Sequence, residues 1–212
     1  MIGIYDYTVI LTYLSFLSGL TGIYFSLNGN TLIGIICIMI SGLFDMFDGK
    51  VARTKKNRTE TSKKFGIQID SLSDLVAFGL LPSAIGIGLG LDKTILCFTL
   101  YLIPLCALIR LAYFNVLAEE KESKKIFNKS VEDKNYYYGL PVTSIAIILP
   151  FTYNLHIFLG PNIFNKAYPL IMLVTAILFV LNIKIKKPTG IWFVICSILA
   201  AIEIAIISAS IR

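Results

Sequence analysis

The chain has 212 residues, of which 56% are hydrophobic and only 15% are charged. Soluble domains carry about a quarter charged residues, so this composition excludes an ordinary water-soluble globule. The formal net charge of +6 fits either nucleic acid or a membrane surface, and the positions of the charges must decide between them.

Seven apolar segments follow one another along the chain. Each is long enough to cross a bilayer as a helix, because a span needs about 20 mostly apolar residues. They predict an all-α, polytopic membrane bundle of about seven transmembrane helices, forming a single domain over 1–212. The segments are 7–27, 31–53, 65–91, 93–117, 139–160, 167–183 and 191–211.

The connections between these segments differ in charge. Residues 28–30, 92 and 161–166 are short and almost uncharged, whereas 54–64, 118–138 and 184–188 are basic. Basic loops of membrane proteins stay in the cytoplasm, so we expect a cytoplasmic N-terminus and an outer C-terminus. The net charge is then mainly a topology signal, with contacts to lipid headgroups and no nucleic-acid partner. The first apolar run lacks a basic start and a cleavage site, so we expect no cleaved signal peptide.

Four aspartates lie inside otherwise apolar segments: Asp45 and Asp48 in the second, Asp70 and Asp74 in the third. Carboxylates at membrane depth are costly and mark a functional site by default. Spacings of three and four residues place each pair on one side of its helix. Because one loop joins the two helices, a hairpin would bring the four carboxylates together near its cytoplasmic end.

Four neighbouring carboxylates repel one another unless a cation lies between them. An all-oxygen site suits Mg²⁺, Mn²⁺ or Ca²⁺ rather than zinc. Two such ions could bridge a phosphate and leave one carboxylate as a base. Gly49, Ala52 and Gly66 leave room for a phosphate ligand on the same faces, and Arg53 could reach an anion there. Two alternatives remain open: helix-end acids paired with nearby lysines and arginines, and an ion pathway of a transporter.

The residues from Asp45 to Asp74 resemble the signature of the CDP-alcohol phosphotransferase family, D-x2-D-G-x2-A-R-x8-G-x3-D-x3-D. All eight signature residues are present, and the gap between Arg53 and Gly66 is twelve residues instead of eight. The resemblance implies a membrane enzyme, commonly a homodimer, with a core of six helices within about 1–187. A helix at about 190–211 would be an addition. Such enzymes cleave a CDP-linked donor, transfer its phosphoalcohol to an acceptor hydroxyl and release CMP.

The resemblance also implies roles for the signature residues. The four aspartates would share two divalent metal ions, Mg²⁺ or Mn²⁺, and Asp74 would also be the catalytic base. The CDP-binding residues would be Gly49, Ala52, Arg53 and Gly66.

Three further stretches, 70–83, 110–115 and 139–141, resemble the serine-transferring branch of this family, although Ser15 and Tyr113 differ from its usual asparagine and arginine. We therefore expect CDP-diacylglycerol or CDP-archaeol as donor and L-serine as acceptor. Arg110 and Asn115 are candidates for binding the charged groups of serine. Alternatively, Arg110 pairs with an aspartate or extends to the interface. Glycerol 3-phosphate or inositol phosphate would need more arginines than the four in this chain.

The remaining candidate residues are expected to be structural. Four cysteines lie in apolar runs without paired or metal-type spacing, which predicts buried free thiols. His156 is expected to lie far from the acids, and Glu203 lies within the seventh apolar segment without an obvious partner. The cysteines are Cys37, Cys97, Cys106 and Cys196.

Overall fold

The computed structural model describes residues 3–91, 97–126 and 136–186. Within these ranges the regular secondary structure is helical apart from two three-residue strands. A π-helical turn, Leu75–Leu80, joins two of the helices into a continuous segment, Glu60–Gly88. The helices are α1 (Ile10–Leu27), α2 (Thr31–Thr54), α3 (Glu60–Asp74), α4 (Leu81–Gly88), α5 (Phe98–Ile126) and α6 (Ile145–Val180).

Membrane-spanning character is evident from helix length and composition. In the described part of the chain, five helices are long and apolar enough to cross a bilayer, and Val142–Leu155 is a shorter apolar helix. The predicted all-α membrane bundle is therefore confirmed. The seventh predicted segment, with Glu203, lies outside the described residues, so the total of about seven helices stays a prediction. The five spans are Ile10–Leu27, Thr31–Thr54, Glu60–Gly88, Phe98–Glu120 and Ile163–Val180.

Two predicted connections are shorter in the structure than the sequence suggested. Residues 161–166 are helical, so the predicted loop there is wrong; the helix breaks only at Gly160, with φ 66° and ψ 161°. A proline suits the first turn after such a break. The helix α3 begins at Glu60, five residues before the predicted segment, because the Thr59 side chain accepts a hydrogen bond from the Ser62 amide at 3.1 Å. The basic connection between α2 and α3 is therefore only 55–59.

Helix α1 packs closely against α2 and the π turn. A Cβ on Gly19 would lie 3.0 Å from the Cα of Ala77, so only glycine permits this approach. Ser41 donates to the Ser15 carbonyl at 3.1 Å, and Ser15 donates in return to the Ser41 carbonyl at 3.4 Å. The apolar core lies between α2, the π turn, α4, α5 and α6, and includes Ile35, Ile38, Phe78, Leu81, Ile85, Leu149 and Tyr168.

A small antiparallel sheet joins two of the connections that the charge pattern assigned to one side. Strand β1 (Tyr136–Tyr138) pairs with β2 (Lys184–Lys186), with Tyr137 opposite Ile185. These strands belong to the predicted basic connections 118–138 and 184–188. The two connections therefore lie at the same end of the bundle, as the charge pattern requires.

Candidate active site

The aspartates of α2 and α3 converge in the folded chain. Carboxylate oxygens of Asp45, Asp70 and Asp74 all lie within 4.8 Å of one another. Asp74 is buried, with 8% of its surface exposed, while Asp45 and Asp70 are half-buried. Asp48 interacts electrostatically with both Asp45 and Asp70. The structure thus brings together all four carboxylates that the sequence placed on facing helices.

Helix α1 holds this hairpin through hydroxyl groups that sequence reasoning missed. The Thr12 hydroxyl donates to Asp48 Oδ2 at 3.3 Å, and the Ser73 hydroxyl donates to the Thr12 carbonyl at 3.1 Å. Thr12 and Ser73 are both buried. One residue of α1 therefore contacts both acidic helices. A lone hydroxyl in an apolar segment gives no periodic signal, which is why the pattern did not reveal it.

The ion pairs found among the described residues do not involve the four aspartates. Lys55 binds Asp6 at 2.8 Å, and Lys63 binds Glu60 at 2.7 Å. The Lys55 ammonium group, helped by hydrogen bonds from Thr8, lowers the pKa of Asp6 to about 2. The alternative in which the four acids are helix-end partners of lysines and arginines therefore gains no support.

The donor set fits a hard divalent cation. At 4.8 Å, two ionised carboxylates repel each other by about 3.5 kcal/mol at an effective dielectric constant of about 20. A cation held between them replaces this repulsion by attraction. Carboxylate oxygens are the ligands that Mg²⁺, Mn²⁺ and Ca²⁺ prefer, whereas zinc prefers nitrogen and sulfur.

The signature residues that were predicted to bind CDP line the same part of the hairpin. Arg53 is exposed, and its Nε donates to the Gly49 carbonyl at 2.9 Å, one turn earlier on α2. Gly49 and Ala52 are half-buried on that helix. Gly66 lies on α3, one turn before Asp70. Small residues on both helices thus adjoin the acidic cluster.

Asn115, an acceptor candidate, lies beside α3. Its Oδ1 accepts a hydrogen bond from the Ser71 hydroxyl at 2.8 Å, and its Nδ2 donates to Gln68 Oε1 at 3.1 Å. Because Ser71 precedes Asp74 by three residues on α3, their side chains are neighbours on the helix surface, and this network adjoins the acidic cluster. Sequence reasoning passed over Gln68 and Ser71, although both are polar residues on the helix that carries Asp70 and Asp74.

Arg110, the other acceptor candidate, is buried, with 8% of its surface exposed. Its Nη1 donates to the Phe179 carbonyl at 3.0 Å, its Nη2 donates to the Gly139 carbonyl at 3.4 Å, and its guanidinium lies 4.5 Å from the centre of the Phe114 ring. These contacts join α5 to the end of α6. Arg110 also lines a cavity of about 330 Å³ together with Ile109, Tyr113, Phe114, Phe179, Val180, Leu181 and Asn182.

The prediction of buried free thiols is confirmed for Cys37, whereas Cys97 and Cys106 are free but not fully buried. Cys37, Cys97 and Cys106 are free thiols, and Cys37 is buried while the other two are half-buried. Cys196 and the side chain of His156 lie outside the described residues.

Comparison with known proteins points to one family. Residues 8–161 match the family model described as CDP-alcohol phosphatidyltransferase. The chain is 38% identical over 117 residues to the CDP-diacylglycerol–serine O-phosphatidyltransferase of Saccharomyces cerevisiae, covering 55% of this chain and 40% of that protein. It is 28% identical over 180 residues to the enzyme of the same name from Mycobacterium leprae, covering 84% of this chain and 57% of that protein.

An archaeal relative carries a related name. The chain is 37% identical over 109 residues to the archaetidylserine synthase of Methanothermobacter thermautotrophicus, covering 51% of this chain and 46% of that protein. The chain thus spans about half the length of the known relatives that it matches.

Proposed function

The chain belongs to the CDP-alcohol phosphatidyltransferase family, and we propose that it transfers a phosphatidyl or archaetidyl group from a CDP-linked lipid to the hydroxyl of L-serine, releasing CMP. The observation that carries this proposal is the convergence of Asp45, Asp48, Asp70 and Asp74 at the facing sides of α2 and α3. The names of the yeast and archaeal relatives support serine as acceptor.

We infer that the four aspartates hold two divalent metal ions, with Mg²⁺ and Mn²⁺ as the first choices and Ca²⁺ as a third. The bound ions would offset the charge of the diphosphate as its bond to CMP breaks. Gly49, Ala52 and Gly66 would leave the surface of the hairpin open to the nucleotide. Arg53, which is exposed beside Gly49, would bind a phosphate oxygen.

In the proposed reaction, Asp74 is the base. Its carboxylate takes the proton from the serine hydroxyl as that oxygen attacks the β-phosphorus of the donor. A new phosphorus–oxygen bond forms to serine, and the bond from the same phosphorus to the CMP oxygen breaks. Burial of Asp74 supports this role, because little bulk water reaches its carboxylate to compete with the serine hydroxyl as proton donor.

We propose that the acceptor binds on the α5 side of the cluster. Asn115 is held by Ser71 next to Asp70, so its amide is placed to bind an acceptor near the acids. Arg110 is proposed for the serine carboxylate, and the cavity that it lines with Tyr113 and Asn182 would admit an amino acid. The hydrogen bonds from Arg110 to the Phe179 and Gly139 carbonyls would then fix the orientation of its guanidinium.

We further propose that the active site faces the cytoplasm, that the N-terminus is cytoplasmic, and that the enzyme is a homodimer. The pairing of β1 with β2 supports a common side for two of the basic connections. Fusion of a reporter that is active only in the cytoplasm to each terminus tests the orientation. Mass measurement in detergent tests the dimer.

A panel of donors and acceptors tests the activity. Purified protein with Mn²⁺ receives CDP-diacylglycerol or CDP-archaeol, and L-serine, glycerol 3-phosphate or inositol phosphate is added in separate reactions. We expect CMP release with L-serine, and the donor arm decides between ester and ether lipid. Release only with a phosphorylated acceptor would reject serine, and no release with any acceptor would reject the transferase activity.

A further inference from the structure

Arg58 lies in the short connection 55–59, outside the signature residues, and its guanidinium lies against α3. Its Nη2 donates to the Ser62 carbonyl at 3.0 Å. A Cβ on Gly66 would lie only 2.7 Å from the same nitrogen. Gly66, a signature residue, is thus the position at which the Arg58 guanidinium approaches α3.

Two buried polar atoms beside this contact have no hydrogen-bond partner among the residues that the structure describes. They are Arg58 Nε and Ser62 Oγ. Ser62 is 7% exposed, so water reaches its hydroxyl poorly. A buried polar group without a partner destabilises the folded state, and more strongly when it is charged. Arg58 Nε can only donate a hydrogen bond, and the Ser62 hydroxyl can donate as well, so one acceptor could satisfy both atoms.

The position of these donors favours an anion. They lie at the start of α3, where the positive end of the helix dipole attracts negative charge. Gly66 precedes Asp70 by one turn, about 6 Å along the axis. The guanidinium therefore lies beside the acidic cluster, on the side of the connecting loop. A diphosphate on metal ions at the aspartates would extend toward it.

We propose that Arg58, together with the Ser62 hydroxyl, binds a phosphate oxygen of the CDP-linked donor. This inference rests on the proposed function, because it assigns the donor to the same site. An arginine presents Nε and an Nη as a fork that matches two phosphate oxygens. A phosphate could also come from a bilayer lipid, but the proximity to Gly66 and Asp70 assigns the nucleotide. Arg58, which lies in the lengthened gap between Arg53 and Gly66, then contributes directly to the affinity for the donor.

The test compares Arg58→Ala with Lys63→Ala, which removes the same charge from an exposed side chain in the first turn of the adjoining helix α3. We measure the Kd for water-soluble CDP with Mn²⁺ in detergent, and KM for donor and serine separately. Arg58→Ala is expected to raise the CDP Kd and the donor KM by roughly tenfold or more. The KM for serine should stay within twofold of wild type. Lys63→Ala should leave all three constants within twofold.

A double-mutant cycle separates ligand binding from a structural role. A methyl group on Gly66 would displace the guanidinium and also narrow the space proposed for the nucleotide. Gly66→Ala should therefore weaken CDP binding by a larger factor in wild type than in the Arg58→Ala background. Ser62→Ala, which keeps the arginine, should weaken CDP binding by a few-fold and serves if Arg58→Ala fails to fold.

Several results would overturn the inference. The inference is wrong if the CDP Kd of Arg58→Ala equals that of Lys63→Ala. It is also wrong if Arg58→Ala binds CDP normally and loses only the activation of the enzyme by anionic lipid vesicles, which would assign the site to a lipid phosphate. CMP release from wild-type protein tests the proposed function separately, since CDP binding is measured without an acceptor.

Discussion

Replacing Asp74 by asparagine removes one charge from the closest group of carboxylates without changing the size of the side chain. Asp45, Asp70 and Asp74 lie within 4.8 Å of one another, so each ionised pair costs about 3.5 kcal/mol. The change reduces three repelling pairs to one and also removes a metal ligand. Metal-free Asp74→Asn protein should therefore melt at a higher temperature than metal-free wild type.

The metal response should change in the opposite direction. A ligand present at about 100 times its Kd stabilises the folded state by about 2.7 kcal/mol. For a chain of this length, that free energy corresponds to a rise in Tm of about 5–10 °C. Wild type should show such a rise with Mn²⁺, and Asp74→Asn should show much less. The variant should also release CMP at least ~100-fold more slowly, the contribution typical of a general base.

Thermal unfolding in detergent, with and without Mn²⁺, measures these effects, and CMP release measures the rate. Glu60→Gln is the matched control, because it neutralises an exposed acid of the same helix outside the cluster. It should leave both the Mn²⁺ response and the rate unchanged. A normal Mn²⁺ response together with near-normal CMP release in Asp74→Asn would refute the assignment of the cluster as metal site and of Asp74 as base.

Other contacts give three further predictions. Gly139→Ala should lower Tm more than Gly90→Ala. Both glycines have positive φ, 69° and 76°, but among the described residues a Cβ would meet neighbours at Gly139, the closest at 2.6 Å, and none within 4 Å at Gly90. Asn115→Leu should raise the KM for serine at least fivefold with a smaller change for the donor, and equal changes in both would contradict its acceptor role. Asp6 has a pKa lowered to about 2, so the stability that it contributes is present above its unfolded pKa near 4 and is lost as pH falls toward 2. Asp6→Asn should abolish that part of the acid dependence, measured as Tm against pH, at a cost below about 1 kcal/mol at neutral pH because the pair with Lys55 is partly exposed.

The acidic cluster was predictable because its geometry depends on short-range periodicity. Spacings of three and four residues fix which helix face carries Asp45, Asp48, Asp70 and Asp74, and a single loop between the two helices implies a hairpin in which these faces meet. Membrane segments were predictable for a similar reason, since hydropathy over about 20 residues is a strong signal.

Contacts that depend on tertiary packing were not predictable. The bonds from Arg110 to the Phe179 and Gly139 carbonyls join positions that are far apart in sequence. The predicted fifth segment ended at Gly160, where the helix does break, but the sequence did not reveal that one residue with positive φ replaces the loop predicted at 161–166. Helix α3 begins earlier than the hydropathy pattern predicted, because Thr59 caps a charged first turn that is not part of the apolar segment.

The π turn at Leu75–Leu80 comes directly after Asp74 and makes the effect of a deletion depend on its position. The turn holds one residue more than an α-helix would over the same rise. Deleting one residue from it would restore a regular helix and leave α3 and α4 in nearly their present orientation. Deleting Leu72 from the regular helix α3 would instead rotate Asp70 by about 100° relative to Asp74 and turn the two carboxylates to different sides. A single deletion inside the π turn should therefore be tolerated far better than the deletion of Leu72.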